Sequence, residues 1–441
     1  MKTLNDFTIK IIYSKFSFYT INLLNEQLSN LIINKVKGMD VMGNVLVIGF
    51  PGEGHVNPSL GIVKELMAQG VKVVYYGIED YAEKIKKSGA TFREYEDFRP
   101  SLDMSNRMTN EESYDRYEIM NLFLNESENI ITKIMSETKH ETYDYVLYDY
   151  HLLAGSAVAD LLQLPKVSLC TTFALNKELA TCMMPSGQTE PDQSSFYPQF
   201  EKSLNKFNNQ YNTQLKDSID IMSNPGDITL VFTSEFFQPN VSEFTSEYKF
   251  IGPSIVKRLD IEDPSYLQNE NEKIIFVSMG TIFNQQLEIY NLCVEALKDF
   301  EGKVILSIGK NTKPEELAHI PENFIVKQYV PQLEILKRAD LFITHGGMNS
   351  SSEGLYYDTP LVVIPMAVDQ FMVGDRVQEL GAGVKLDKNN VSAQLIKNTV
   401  NDVLTTPTYK QHAQQIGESL RSAGGYKQGV KEILNVVPVK A

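Results

Sequence analysis

At 441 residues with 42% hydrophobic content, the chain is long enough to bury two ordinary cores. Its formal net charge of −15 argues against a broad nucleic-acid or anionic-membrane surface, although backbone dipoles can still hold a phosphate locally. Cys170, Cys182 and Cys293 lie far apart and match no metal-ligand spacing, which points to a reducing, cytoplasmic setting.

Residues 1–42 are rich in Ile, Asn, Phe and Lys, with Lys10, Lys15 and Glu26 interrupting the apolar runs. No run reaches the roughly 18–20 apolar residues of a membrane span, and no small-residue cleavage site follows an apolar stretch. Leu23, Leu24, Leu28, Leu31 and Ile32 follow helical spacing, as a surface-lying anchor would. The preferred expectation is an extension outside the native fold, because Met39 and Met42 stand just before the first strand signal.

The ordered chain is expected to begin at Gly43. Val45–Ile48 read as a buried strand, Phe50–Asn57 as a loop, and Pro58 as the first residue of a helix capped by Asn57. Leu60, Val63, Leu66 and Met67 form that helix's apolar stripe, Gly70 closes it, and Val71–Tyr76 make the next strand. Gly52-Glu53-Gly54, with Glu79 or Asp80 beyond the second strand, superficially resembles a dinucleotide fingerprint. The third glycine is missing, since Asn57 occupies its place, so an NAD-dependent oxidoreductase is disfavoured. The same loop puts His55 at the carboxyl end of the first strand, where an imidazole that titrates near neutrality can serve chemistry.

Further on, Tyr145–Tyr148 read as a strand with Asp149 at its carboxyl end and Asp144 at the other. His151 starts a helix-like apolar stretch and reads as structural. Residues 98–125 and 171–220 mix Met, Phe and Tyr with many polar residues, as the walls of a binding cleft often do. Phe173, Met183, Met184 and Phe196 are candidate lining residues, equally compatible with ordinary packing.

Strand signals at Ile228–Thr233 close a first domain of residues 43–252, and Gly252, Pro253, Pro264 and a charged run suggest a linker at 253–273. A second domain, 274–424, opens with the strand Ile274–Val277 followed by Ser278, Gly280 and Thr281. Strands at Lys303–Ile308 and Phe324–Gln328 lead to YVPQLEILKRADLFITHGGMNSSSEGLYYDTPLVVIPMAVDQ, residues 329–370. Here a strand stops at His345, Gly346 and Gly347, and the chain restarts as a helix at Asn349 or Ser350, either of them a good N-cap. Such a helix start aims free amides and a positive dipole end at an anion. Ser350 and Glu353 also fit a capping box, in which the glutamate only satisfies a backbone donor.

The segment 329–370 resembles the nucleotide-sugar signature of the inverting UDP-glycosyltransferases of the GT-B fold, most closely the bacterial macrolide-type enzymes, which include flavonoid glucosyltransferases. The resemblance extends from Gly43 to the C-terminus. It implies an α/β fold of two Rossmann-like domains facing a cleft, with the last helix, 425–441, crossing back to the first. By resemblance Tyr329 stacks on uracil, Val330 pairs with its edge and Gln332 lies near the ribose. Glu353 would hold the ribose hydroxyls, and Gly280, Thr281, His345, Gly347, Asn349 and Ser350 the diphosphate. Asp369 and Gln370 would hold sugar hydroxyls. Tyr329 and Met348 stand where the plant form of the signature carries tryptophan.

The resemblance further implies that His55 is the general base and Asp149 its partner carboxylate. A hexose, most simply glucose, would pass from a UDP-sugar to a hydroxyl of a small hydrophobic acceptor such as a flavonoid, another phenol or a macrolide. No metal, no permanently bound cofactor, no nucleic acid and no stable membrane insertion are expected, and the protein is expected to be a monomer. A UDP-sugar-binding sensor without turnover is the alternative, since fold and motif do not guarantee activity.

Overall fold

Strands covered on both faces read as continuous apolar runs, and here Val45–Ile48, Tyr145–Tyr148, Ile274–Val277 and Leu341–Ile343 are all at most 1% exposed. The computed structural model describes residues 43–102, 115–182, 194–256, 267, 271–281, 285–366 and 369–436. The expectation for residues 1–42, and those for Met183 and Met184, lie outside the described residues.

The first sheet contains β1 (Asn44–Ile48), β2 (Lys72–Gly77), β3 (Thr91–Glu94), β4 (Tyr145–Asp149), β5 (Lys166–Cys170), β6 (Ile228–Val231) and β7 (Tyr248–Phe250). They are ordered β3-β2-β1-β4-β5-β6-β7 and pair in parallel throughout. The second holds β8 (Ile274–Ser278), β9 (Lys303–Ser307), β10 (Phe324–Lys327), β11 (Leu341–Thr344), β12 (Leu361–Val363) and β13 (Gly383–Lys385). Its order is β10-β9-β8-β11-β12-β13, again parallel. The architecture is two Rossmann-like α/β units. In each sheet successive connections run in opposite directions from the first strand, and ligands of open parallel sheets bind at the carboxyl ends beside such a reversal. Those places are the ends of β1 and β4 in the first sheet and of β8 and β11 in the second.

Two helix starts differ from the sequence expectation. Helix α1 runs Glu53–Ala68 and is capped by extended Gly52, so the expected loop to Asn57 is absent and Pro58 lies inside the helix. The amides of His55 and Val56 already bond the Gly52 carbonyl, at 3.0 and 2.9 Å. A proline is favoured at the first helical position but does not fix it there. Its missing N–H instead deprives the Gly54 carbonyl, four residues back, of a helical partner.

Helix α2 (Met348–Tyr356) starts at once after the turn, capped by Gly347 rather than by Asn349 or Ser350. Gly346, at φ +87°, folds the chain back tightly enough for this. Asn349 and Ser350 are therefore first-turn residues, and the Ser350–Glu353 capping box does not form.

The C-terminal helix α3 (Gly425–Val436) leaves the second sheet and lies on α1. Val430 and Ile433 are fully buried in the first core. A Cβ at Gly429 would stand 2.8 Å from both Ile251 and Ile62, so the helices approach through that glycine. No helix among the described residues is long and apolar enough to cross a membrane.

Candidate active site

His55 sits in the first turn of α1, above the end of β1, and Asp149 ends the neighbouring β4. Their side chains meet, His55 Nδ1 to Asp149 Oδ2 at 2.8 Å. The second carboxylate oxygen, Oδ1, accepts the His151 amide at 2.9 Å, which fixes the carboxylate plane. Thr171 Oγ1 stands 3.0 Å from the same His55 Nδ1. With Nδ1–H pointed at these acceptors, Nε2 carries the lone pair. Burial pulls the His55 pKa down, but the charge and hydrogen bond of Asp149, with the charge of Asp369, outweigh it, so the imidazole titrates above its ordinary 6.5. Asp149 is buried too, yet His55 and His151 hold its carboxyl below the usual range.

His151 has a different environment. Its Nδ1 donates to the Met222 carbonyl at 2.8 Å and its Nε2 faces Thr172 Oγ1 at 2.9 Å, so both ring nitrogens are engaged. Burial lowers its pKa and keeps it neutral. At the opposite end of the strand, Asp144 accepts the Asn44 amide at 2.7 Å and bridges the starts of β1 and β4.

In the second sheet, His345 follows β11 directly. Its ring is held between two glycines: a Cβ at Gly280 would lie 2.6 Å from it and one at Gly347 2.4 Å. Burial lowers the His345 pKa to about 4, only partly opposed by a hydrogen bond to the Ser278 backbone. His345 is therefore neutral at pH 7 and can offer a hydrogen bond but no positive charge.

Around the helix start, Gln332 Nε2 donates to Glu353 Oε2 at 2.6 Å and lies 3.4 Å from Ser350 Oγ, so these three residues form one cluster. Tyr329 is 61% exposed, leaving its ring open to stacking. The Val330 carbonyl accepts the Gln332 amide at 2.8 Å. Thr281 is exposed beyond Gly280. Asp369 begins the helix Asp369–Glu379, and its carboxyl is pushed up to about 6 by burial, against the nearby His55 and backbone amides including that of Met348. The Gln370 Oε1 accepts the Met366 amide at 2.8 Å.

His55 and Asp369 stand near enough for the charge of each to act on the titration of the other, so the two sheet ends face one cleft. A direct link crosses it as well, from Asn349 Nδ2 to the Gly54 carbonyl. Sequence reasoning missed Thr171, Phe50 and this link. Phe50, half-buried, lies with its ring 4.6 Å from that of His55 and is backed by the buried Phe98 at 5.7 Å, giving an aromatic surface beside the base. Only its position one strand end before His55 could have flagged it. Phe173, by contrast, is 2% exposed and packs on Phe237, so it serves a core rather than an open wall.

Comparison with known proteins agrees with this arrangement. Residues 291–433 match the family described as Erythromycin biosynthesis protein CIII-like, C-terminal domain. The chain is 49% identical over 402 residues to the uncharacterized UDP-glucosyltransferase YojK of Bacillus subtilis (strain 168), spanning 90% of this chain and 98% of that protein. It is 28% identical over 403 residues to the oleandomycin glycosyltransferase of Streptomyces antibioticus, spanning 90% and 91%. The solved glycotransferase of kitacinnamycin superposes with a TM-score of 0.78 at 25% identity, over 90% of this chain and 99% of that one. Two parallel Rossmann-like units, a cleft between their strand ends and relatives matched over nearly their full length place this chain among the UDP-dependent glycosyltransferases of the GT-B fold, in the macrolide-type family.

Proposed function

We propose that the protein transfers glucose from UDP-glucose to a hydroxyl of a small hydrophobic acceptor, with inversion at the anomeric carbon. Residues 43–252 take the acceptor and 274–424 the donor. The observation that carries this reading is the 2.8 Å contact between His55 and Asp149 at the cleft. Glucose is chosen because the 49% identical relative is named a UDP-glucosyltransferase. An apolar acceptor suits the half-buried Phe50 ring beside the base, which Phe98 backs from the core, and the name of the oleandomycin relative makes macrolides one class to try.

In this mechanism the acceptor O–H gives its proton to His55 Nε2 as its oxygen forms a bond to the anomeric carbon. The bond from that carbon to UDP breaks on the opposite face, through an oxocarbenium-like transition state. Asp149 stabilises the imidazolium. The charge left on UDP is met by the first-turn amides of α2 and by a hydrogen bond from neutral His345. Tyr329 stacks on uracil beside the Val330 backbone, Gln332 and Glu353 take the ribose, Gly280, Thr281, Gly347, Asn349 and Ser350 border the diphosphate, and Asp369 and Gln370 take sugar hydroxyls. No metal enters this scheme.

The test is UDP release from UDP-glucose with a panel of flavonols, simple phenols and macrolides, read together with product mass. A gain of one hexose is expected. The His55→Ala variant should lose about 10²–10⁴-fold in turnover, the usual worth of a general base, while still binding UDP. Full turnover in that variant removes His55 from the mechanism, and a product of retained anomeric configuration removes the single displacement.

A further inference from the structure

The turn that carries His55 contains an unusual vacancy in its helical hydrogen bonding. Pro58 lies inside α1 and has no N–H, so the carbonyl of Gly54, immediately before His55, has no i+4 amide to accept from. The side chain of Asn349, 295 positions away in sequence and in the first turn of α2, donates its Nδ2–H to that carbonyl. The approach is close enough that a Cβ at Gly54 would stand 3.3 Å from the same nitrogen. Proline and glycine therefore act together: one leaves the acceptor open and the other leaves room for the donor to reach it.

We propose that Asn349 is a positioning residue that ties the turn bearing the base to the diphosphate-facing helix start, through the Gly54 carbonyl that Pro58 strands. This rests on the reading of His55 as base and of α2 as the donor-binding helix. A carbonyl oxygen only accepts, so the contact also sets the carboxamide orientation: Nδ2 faces Gly54 and Oδ1 faces away. The two reactants are held by different halves of the molecule, and transfer depends on the distance between them. A misplacement of about 1 Å can cost on the order of 10²-fold in rate. A bond from the residue next to the base to the helix under the leaving group fixes that distance directly. Serine at 349 would be too short to reach, and aspartate would oppose the carbonyl with its own negative oxygens.

Steady-state kinetics and UDP binding on Asn349→Ala, Pro58→Ala and the double variant test this. Losing the tie should cost Asn349→Ala about tenfold in kcat, a larger change than in the Kd for UDP, because the backbone amide at 349 still borders the diphosphate. Pro58→Ala restores a helical N–H to Gly54 and by itself should change kcat by no more than about twofold. In the double variant the restored amide satisfies the carbonyl but does not reach the other half of the molecule, so kcat should stay as low as in Asn349→Ala. An unchanged kcat in Asn349→Ala overturns the proposal, as does a loss confined to UDP affinity, which would make Asn349 a phosphate contact only. A double variant restored to the parent kcat overturns it too, since satisfying the Gly54 carbonyl would then be enough without any tie. His55→Ala measured alongside separates the layers: retained transfer there removes the base reading itself, whereas lost transfer there with full kcat in Asn349→Ala removes the tie alone.

Discussion

An imidazole buried beside a carboxylate is a different base from one in water. Burial alone would leave His55 a weaker base than a free imidazole, and Asp149 reverses the sign of the shift. His55 must be neutral to accept a proton, so kcat/KM should rise with pH through a pKa above 6.5. In Asp149→Asn burial meets less opposition, and the acid limb of a pH–rate profile should move to lower pH. The plateau should fall by about 10²–10⁴-fold as the imidazolium loses its partner. Asp369 makes a second, separable prediction. Its carboxyl titrates near about 6, so it is ionised at neutral pH and loses its acceptor character as pH falls through that value. KM for UDP-glucose should rise below about pH 6 while the Kd for UDP, which has no sugar, stays level, and Asp369→Asn should remove the difference. The strand-end places of His55 and Asp149 were legible in the sequence because each follows a short apolar run, and strand ends are where such sheets do chemistry, whereas their pairing as base and carboxylate came from the family resemblance. Thr171 was not, since a lone threonine after a strand carries no signal until its Oγ1 is seen 3.0 Å from His55.

The glycine turns and helix starts decide whether those side chains reach the cleft. Gly280 combines φ +77° with a face packed on the His345 ring. Gly280→Ala meets both obstacles, left-handed backbone costing about 1–2 kcal/mol and a Cβ only 2.6 Å from the imidazole. The expected outcome is a lower urea midpoint and weaker UDP binding together, measured by denaturation and calorimetry. A variant with full UDP affinity would mean that the ring is free to move aside. The strands were legible as elements because burial on both faces leaves an unbroken apolar run. Helix boundaries were less so. Pro58 and the Asn349-Ser350 pair look like starting signals, yet both helices begin earlier, at Gly52 and Gly347, where the backbone turns. Local preference ranks possible starts, and the geometry of the preceding strand end selects among them.

Across the whole molecule, the last helix belongs to one unit by sequence order and to the other by packing. Ile433 is fully buried against the first core, close to where Gly429 meets Ile62 and Ile251. Ile433→Ala should therefore cost about 2–5 kcal/mol, as large-to-small core changes do. The loss should appear in the unfolding of the first unit, monitored by hydrogen exchange on β1 and β6, although the substitution lies at the far end of the chain. Protection lost only in the second unit would contradict this packing. The sequence by itself determined the parallel α/β character, the two-unit organisation and the convergence of His345, the glycines and Glu353 on one strand end, because apolar runs and turn residues act over a few positions. Tertiary structure alone decided that Asp149, rather than a solvent shell, sets the basicity of His55. It also decided that His345 is neutral, and that Asn349 completes a helix to which it does not belong. Each of these depends on burial or on a contact between distant segments, and neither burial nor distance in space is written in the order of residues along the chain.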